Sequence, residues 1–370
     1  MIDERLYQMG LGFVPGMDAQ LARYIVEAGI GLDDFFNMPM RELIDTLGIN
    51  SSHIRLDDSV RLEALDRARK EEEFIHKHHI TFYSLLDDSY PTLLREIPDA
   101  PVNLYKLGNA SLDCEHVLSM VGTRKPTSYG TSFCASVCED LGAYLPDTMV
   151  VSGLAYGIDA AAHQGALDNG LTTVAVVAHG LDTIYPAANR DLARRIIAAG
   201  GAIVSEYPQH TTPYPKQFLQ RNRIIAGLSQ LVIVVESDVR GGALNTANTA
   251  NSYSRDVMAL PGRVSDQMST GCNNLIRRQR ANLVTCAADI LEFMNWCPVG
   301  FRQPVQRNLF PELEGDQAAI HQCLQLKGEA MSADALHQAT RIPVPALLSA
   351  LGEMEFEGIV HRLPGNRFSL

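Results

Sequence analysis

Between residues 112 and 295 short runs of Val, Ile, Leu and Met recur with little polar alternation: "HVLSMVG", "TMVVSG", "TTVAVVAHG", "AIVSEY", "LVIVVES" and "DVMALPG". Strands of this kind are buried on both faces, and the helical stretches between them require crossover connections. The pattern therefore predicts an α/β, Rossmann-like, doubly wound and mostly parallel sheet. The first 80 residues have a different rhythm. "DAQLARYIVEAG", "PMRELIDTLG" and "DDSVRLEALDRARKEEEFIHKHH" carry apolar residues at helical spacing between Gly, Pro and Asn stops, which predicts a small helical domain over 1–80.

The stretch "YPTLLREIPDAPVNLYKLGN" reads as a proline-punctuated connector ending in a short strand, so the Rossmann-like domain is assigned to 81–298 with its connector at 81–111. Residues 299–315 have linker composition. Beyond them three helical patterns and a hairpin with Pro-Gly-Asn at its tip give the order of a winged helix over 316–370. Its third helix carries Glu353, Glu355 and Glu357 and no Lys or Arg, which favours partner contact or autoregulation over duplex reading. In the helical domain "GFVPGMDAQLARYIVEAG" has the look of a hairpin that meets DNA phosphate. Arg23 is its single basic residue, so packing or protein contact is the favoured role.

The 370 residues are 46% hydrophobic and 20% charged, ordinary globular material for two or three domains. No apolar run of membrane-spanning length and no basic-then-apolar leader pattern occurs, which leads us to expect a cytoplasmic protein without membrane contact. The seven cysteines are scattered without paired metal-ligand spacing, so reduced thiols, no metal and no cofactor are expected. A net charge of −12 argues against a polyanionic partner until its distribution is considered. Residues 121–290 hold 14 Lys and Arg against 13 Asp and Glu, so the acidity belongs to the two ends.

Ligands of an open parallel sheet bind beyond the carboxyl ends of its strands, and the unusual clusters fall there. "VGTRKPTSYG" places Gly122, Thr123, Arg124, Lys125, Ser128 and Tyr129 at a tight turn before a helix, which suits an anion or, failing that, a solvated basic loop. "VSGLAYGIDAAAHQGAL" offers Gly153 and Asp159, the latter placed as a helix cap, while His163 belongs on a packed face. "HGLDTIYPAANRDL" adds Asp182, Tyr185 and Asn189, the last another expected cap. "PYPKQFLQRNRIIAGLS" gathers Lys216, Phe218, Arg221, Asn222 and Arg223. Guanidinium groups grip phosphates and an aromatic face stacks on any base, so several cations around a ring suit a single strand. Gly242 in "VRGGALNTANTA" and Arg277 in "LIRRQRANLV" complete the candidate set, with no catalytic group among them.

"GTRKPTSYG", "SGLAYGIDAAAHQGAL", "GLDTIYPAANRDL", "SEYP", "FLQRNRIIAGLS", "TANTA" and "LPG…GCNNLI", in this order and spacing, resemble the DNA-processing protein A family, DprA/Smf. The resemblance covers roughly 85–295. More loosely, the flanks resemble the family's sterile-alpha-motif-like (SAM-like) domain and winged helix. It implies a single-stranded DNA-binding, non-enzymatic protein that forms a homodimer through the Rossmann-like domain and helps load RecA in natural transformation. Two departures stand out: "GGALNTA" where many relatives have "SGSLITA", and Gln279-Arg280 where Asp-Gly is expected. The main rival is a nucleotide-processing enzyme of the lysine-decarboxylase-like phosphoribohydrolase type, whose Gly-Thr turn "RGGALNTA" lacks. A dinucleotide oxidoreductase has less support, since no GxGxxG opens the first helix.

Overall fold

A computed structural model describes residues 4–48, 57–298, 313, 315–327, 330–356, 359–363 and 367–369. Most of the expected linker 299–315, the hairpin tip 364–366 and Glu357 lie outside the described residues. The chain forms two compact units, Met1–Val299 and Gly300–Leu370.

In the first unit five helices come first: α1 (Glu4–Leu11), α2 (Ala19–Glu27), α3 (Leu32–Asn37), α4 (Met40–Leu47) and α5 (Asp58–Lys77). Asp18 and Asp57 cap α2 and α5 by accepting the backbone N–H of Leu21 and Val60, and Gly48 ends α4 in the left-handed conformation. The pattern of the sequence indicated α2, α4 and α5. It passed over α1 and α3, eight and six residues long.

Next come β1 (Thr81–Ser84), α6 (Thr92–Arg95) and β2 (Asn103–Gly108), then the alternation β3 (Val117–Val121), α7 (Ser128–Tyr144), β4 (Met149–Ser152), α8 (Ile158–Asp168), β5 (Thr172–Val176), α9 (Arg190–Ala198), β6 (Ala202–Ser205), α10 (Pro215–Gly227), β7 (Leu231–Val234), α11 (Gly242–Ser252), β8 (Asp256–Ala259), α12 (Thr270–Arg277), β9 (Asn282–Leu283) and α13 (Ala287–Met294). Among the described residues these strands form one sheet in the order β1-β2-β6-β5-β4-β3-β7-β8-β9. The seven strands from β3 to β9 are parallel, and β2 joins β6 antiparallel.

Alternate residues of the parallel strands feed opposite faces. Val117, Val151, Val174, Val232 and Val257 pack against α10, α11 and α12 through Ile224, Ala247 and Leu275. Leu118, Val150, Ile233 and Met258 pack against α7, α8 and α13 through Phe133, Ile158 and Ile290. Both faces are covered, which is why these strands read as continuous apolar runs.

The segment expected as a connector ending in a short strand supplies that strand, β2, with β1 before it, and the two build the sheet's antiparallel edge. Phe82 of β1, Tyr105 of β2 and Val102 just before β2 share a core with Met9, Phe35, Leu43 and Ala68 of the helices. The Asn103 side chain donates to the Met9 carbonyl at 2.8 Å. The hairpin after α1 faces inward as well: Phe13 and Val14 are buried, and Arg23 donates to the Arg95 carbonyl at 2.6 Å. The Gly-turn hairpin is thus a packing element.

The second unit contains α14 (Gly315–Lys327), β10 (Met331–Ser332), α15 (Ala333–Thr340), α16 (Val344–Phe356), β11 (His361–Leu363) and β12 (Arg367–Ser369), with strands ordered β10-β12-β11. Ile320, Leu336, Leu347 and Phe368 form its core, and Glu353 and Glu355 are exposed on α16. No helix among the described residues is long and apolar enough to cross a membrane.

One ionisable contact ties α5 to the chain leaving β6. Both Glu71 carboxylate oxygens accept the Gln209 backbone N–H at 3.1 Å. Burial pushes this carboxyl from 4.5 up to about 7, against the pull of that hydrogen bond. Between those values the folded chain holds a proton that the unfolded chain has released, so this group's contribution to stability falls as pH rises through the window. In denaturant titrations Glu71→Gln should gain stability relative to wild type from pH 4.5 to about 7 and level off above. Parallel pH profiles for the two proteins would contradict this.

Candidate functional site

The chain leaves β3 toward β4 on one side and reaches β7 on the other, so the loops that follow β3 and β7 part company. An open α/β sheet binds ligands at such a switch point. A cavity of about 440 Å³ lies there, lined among others by Thr123, Arg124, Lys125, Phe218, Asn222 and Gly242.

Close backbone approach shapes its floor. A Cβ on Gly122 would lie 2.6 Å from the Ile158 side chain, so only glycine lets the β3 turn pass over the start of α8. There Thr123 donates its N–H to the Glu236 carbonyl at 2.7 Å and its own carbonyl accepts from Ile158 at 3.1 Å. Gly153 is glycine for a different reason than ligand approach. A Cβ there would lie 2.5 Å from the Arg221 guanidinium.

Arg221 is 3% exposed, and its Nη1 donates to the carbonyls of Gly153, at 2.6 Å, and Val176. It joins the ends of β4 and β5 to α10 from beneath the cavity. Burial lowers its pKa to about 10, which leaves it charged at neutral pH, and Asp159 is its main electrostatic support. Asp159 occupies the second position of α8, not the cap expected of it, and accepts the Ala155 N–H at 3.3 Å. Burial raises the pKa of this carboxyl, and Arg221 opposes the rise. Arg221 is therefore a floor residue whose Nη1 is committed to protein carbonyls, where the sequence reading had it gripping a phosphate.

At the cavity mouth Arg124 is exposed, with its guanidinium 5.6 Å from the centre of the Phe218 ring. Tyr185 lies on that ring from elsewhere, centroids 5.9 Å apart at 55°. Lys125 is exposed beside them. The grouping brings a cation, a flat apolar ring and a hydroxyl-bearing ring together.

The anion site expected at the start of α7 is already filled by the protein. Glu236, 1% exposed, accepts the Thr127 N–H at 2.8 Å and the Thr127 hydroxyl at 2.5 Å. Its carboxylate supplies the negative charge that a helix N-terminus attracts. Only "LVIVVES" hinted at Glu236, and a strand-end Glu 109 positions away gives no local signal of where it docks.

Other candidates are dispersed. Ser128 is exposed in the first turn of α7 outside the cavity lining, and Lys216 is likewise exposed at the start of α10. Tyr129 donates to the Pro261 carbonyl at 2.9 Å and lines a neighbouring groove, which Met268 joins to the first. Arg223 is two residues past Arg221, a rotation of roughly 200° on a helix, and faces away. It pairs with Glu206 at 2.5 Å. Arg277 sits in the last turn of α12, bonded to Asn274. Its neighbour Arg280 reaches Asn248, just past the middle of α11 and about 9 Å from that helix's start at the cavity. Asn189 donates to the Leu154 and Ala155 carbonyls rather than capping α9, which fixes the loop above the floor. His163 is buried, bonded to Thr173 at 2.7 Å, with a pKa lowered to about 3 by burial. Among the described residues no cluster of His, Cys, Asp or Glu is arranged to hold a metal.

The floor and the mouth should separate in stability measurements. Arg221→Ala leaves Asp159 buried without its partner and should cost about 3–5 kcal/mol in denaturant unfolding. Arg124→Ala, at the exposed mouth, should change stability by less than about 0.5 kcal/mol. Equal effects would refute this division.

Residues 81–295 match the family model described as DNA recombination-mediator protein A, and 307–366 match the DprA winged helix domain. DNA processing protein DprA of Streptococcus pneumoniae is 37% identical over 276 residues, covering 75% of this chain and 93% of the relative. The X-ray structure of that organism's protein aligns with a TM-score of 0.64 at 34% identity, over 79% of this chain and 98% of the other. Protein Smf of Escherichia coli K12 is 32% identical over 335 residues, 87% of this chain and 86% of the relative. DNA processing protein A from Helicobacter pylori, solved with attention to its single-stranded DNA binding mode, aligns with a TM-score of 0.52 at 29% identity, over 59% of this chain and 97% of the other. On the strength of a model match across most of the sheet-bearing domain and of near full-length relatives, the chain belongs to the DprA/Smf family of DNA-processing proteins.

Proposed function

We propose that this chain is a single-stranded DNA-binding recombination mediator, not an enzyme, with its strand path across the crevice between the loops after β3 and β7. The observation that carries the reading is the grouping of Arg124, Phe218 and Tyr185. An aromatic face stacks on any base and a neighbouring cation neutralises phosphate, which together suit a strand without sequence preference. Asn222, Thr123 and Gly242 line the same cavity and offer polar contacts. The single-stranded binding described for the Helicobacter pylori relative supports this reading.

Shielding of incoming strands, RecA loading in natural transformation, a cytoplasmic location and homodimerisation through the Rossmann-like domain 81–298 follow from family membership and form part of the proposal. The helical domain 1–80 and the winged unit 316–370 flank the binding domain as contact modules. For the winged unit the exposed Glu353 and Glu355 argue against a duplex partner. The phosphoribohydrolase-type alternative gains nothing from the site. The carboxylates near the crevice, Asp159, Glu236 and Asp238, are held in internal hydrogen bonds.

Titration with labelled poly-dT and with duplex of equal length tests the reading, which expects clear preference for the single strand. Arg124→Ala should weaken binding and reduce the log–log salt slope by about 0.7, since one fewer counterion is released. Phe218→Ala should lose about 1–3 kcal/mol with the slope nearly unchanged, because stacking releases no counterion. Wild-type affinity and slope in both variants would remove the crevice from the binding path.

A further inference from the structure

The tyrosines left at the surface are not scattered. Among the described residues six are at least 43% exposed: Tyr24, Tyr129, Tyr144, Tyr156, Tyr185 and Tyr214. Four of these follow the carboxyl ends of four adjacent parallel strands, one per strand: Tyr129 after β3, Tyr156 after β4, Tyr185 after β5 and Tyr214 after β6. A large ring left in water forgoes the gain of burial, and a series of such rings along one rim marks an interaction surface.

The loops that carry these rings touch one another. Gly157, next to Tyr156, packs on the turn after β3 so closely that a Cβ would lie 2.2 Å from the Thr123 carbonyl and 2.8 Å from Arg124. On its other side the Tyr156 loop is tied to the Tyr185 loop, because Asn189 donates to the Leu154 and Ala155 carbonyls at 2.8 and 3.1 Å. His179 Nε2 holds Tyr185 in turn by accepting its N–H at 3.2 Å. The Tyr185 ring meets Phe218 with centroids 5.9 Å apart, and Tyr214 precedes Phe218 by about one turn at the start of α10. Tyr129 stands apart, its hydroxyl turned to the Pro261 carbonyl in the loop after β8. Charge separates the two directions as well. Setting aside the Arg221–Asp159 and Arg223–Glu206 pairs, Arg124, Lys125, Arg190 and Lys216 outnumber Asp182 and Asp191 in the loops and helix starts after β3, β4, β5 and β6, and His210 pairs with Asp182 at 3.3 Å. After β7 and β8, Arg240 and Arg263 are matched by Asp238 and Asp266.

We propose that the strand held at the crevice runs from Arg124 across the loops after β4 and β5 to the start of α10, with Tyr156, Tyr185 and Tyr214 as stacking platforms for its bases and Lys125 and Lys216 as phosphate contacts. This extension rests on the crevice reading and gives it a direction, away from the loop after β8. Stacking on tyrosine needs no particular base, so the longer path keeps the same indifference to sequence. Neighbouring strands of a sheet lie about 4.8 Å apart, so the rim from β3 to β6 spans roughly 14 Å, the length of about four nucleotides at a rise of about 3.4 Å. The three tyrosines and Phe218 supply a comparable number of rings.

Titration of the full chain with poly-dT tests the path. Tyr156→Ala and Tyr214→Ala should each weaken binding about tenfold or more with the salt slope nearly unchanged, and Tyr214→Phe should keep wild-type affinity, since the ring and not the hydroxyl stacks. Lys216→Ala should lower the slope by about 0.7, while Arg263→Ala, on the side of β8, leaves affinity and slope as they are. An abasic oligonucleotide of equal length should bind wild type and Tyr214→Ala alike, because it has no base to stack. Tyr214→Trp keeps a ring and reports contact directly: poly-dT should quench its fluorescence over the signal of the buried Trp296, the chain's one native tryptophan. If Phe218→Ala weakens binding while Tyr156→Ala and Tyr214→Ala do not, and the indole at position 214 is not quenched, the crevice stands and the extension falls. Weakened binding by Arg263→Ala beside unaffected binding by Lys216→Ala reverses the direction and also overturns it. A wild-type chain that does not bind poly-dT removes crevice and extension together.

Discussion

A guanidinium buried under the crevice organises what lies above it. Arg221 reaches from α10 to the ends of β4 and β5, faces Asp159 on α8, and requires the bare backbone of Gly153 to fit. Because a helix turns about 100° per residue, fixing this one side chain fixes the rotation of α10. Phe218 and Asn222 then face the crevice while Arg223 turns away to pair with Glu206. The same helix thus turns different residues to its opposite sides, held by a charge that is almost wholly buried. Breaking such a buried pair is costly because the remaining charge has no water to solvate it.

The parallel sheet was legible because its chemistry is local. Six strands buried on both faces have to be apolar throughout, and they are, so the runs from "HVLSMVG" to "DVMALPG" revealed the doubly wound core. The antiparallel edge was legible only at β2, the short strand expected at the end of the connector. β1 has four residues with one face toward the helices, too few to show the run or the alternation that announces a strand.

The site was legible in composition and less so in arrangement. Arg124 and Phe218 are 94 positions apart and still meet, as expected of loops at neighbouring strand ends. Arg221 and Arg223 are two apart and separate, because helical geometry outweighs sequence proximity. Glu236 at the start of α7 is the plainest omission. A Gly-rich turn before a helix promises an anion, and only the folded chain reveals that the anion is its own side chain.

The sheet's borders carry a consequence for assembly. One border is β1, packed beneath the helical domain through Phe82, and the other is β9, two residues long. Neither presents the long flat row of free backbone groups that recruits a strand from another molecule. Edges this short offer a strand of another molecule few backbone groups to pair with. In the homodimer proposed above, side-chain complementarity on helix surfaces and loops would then decide which copies meet.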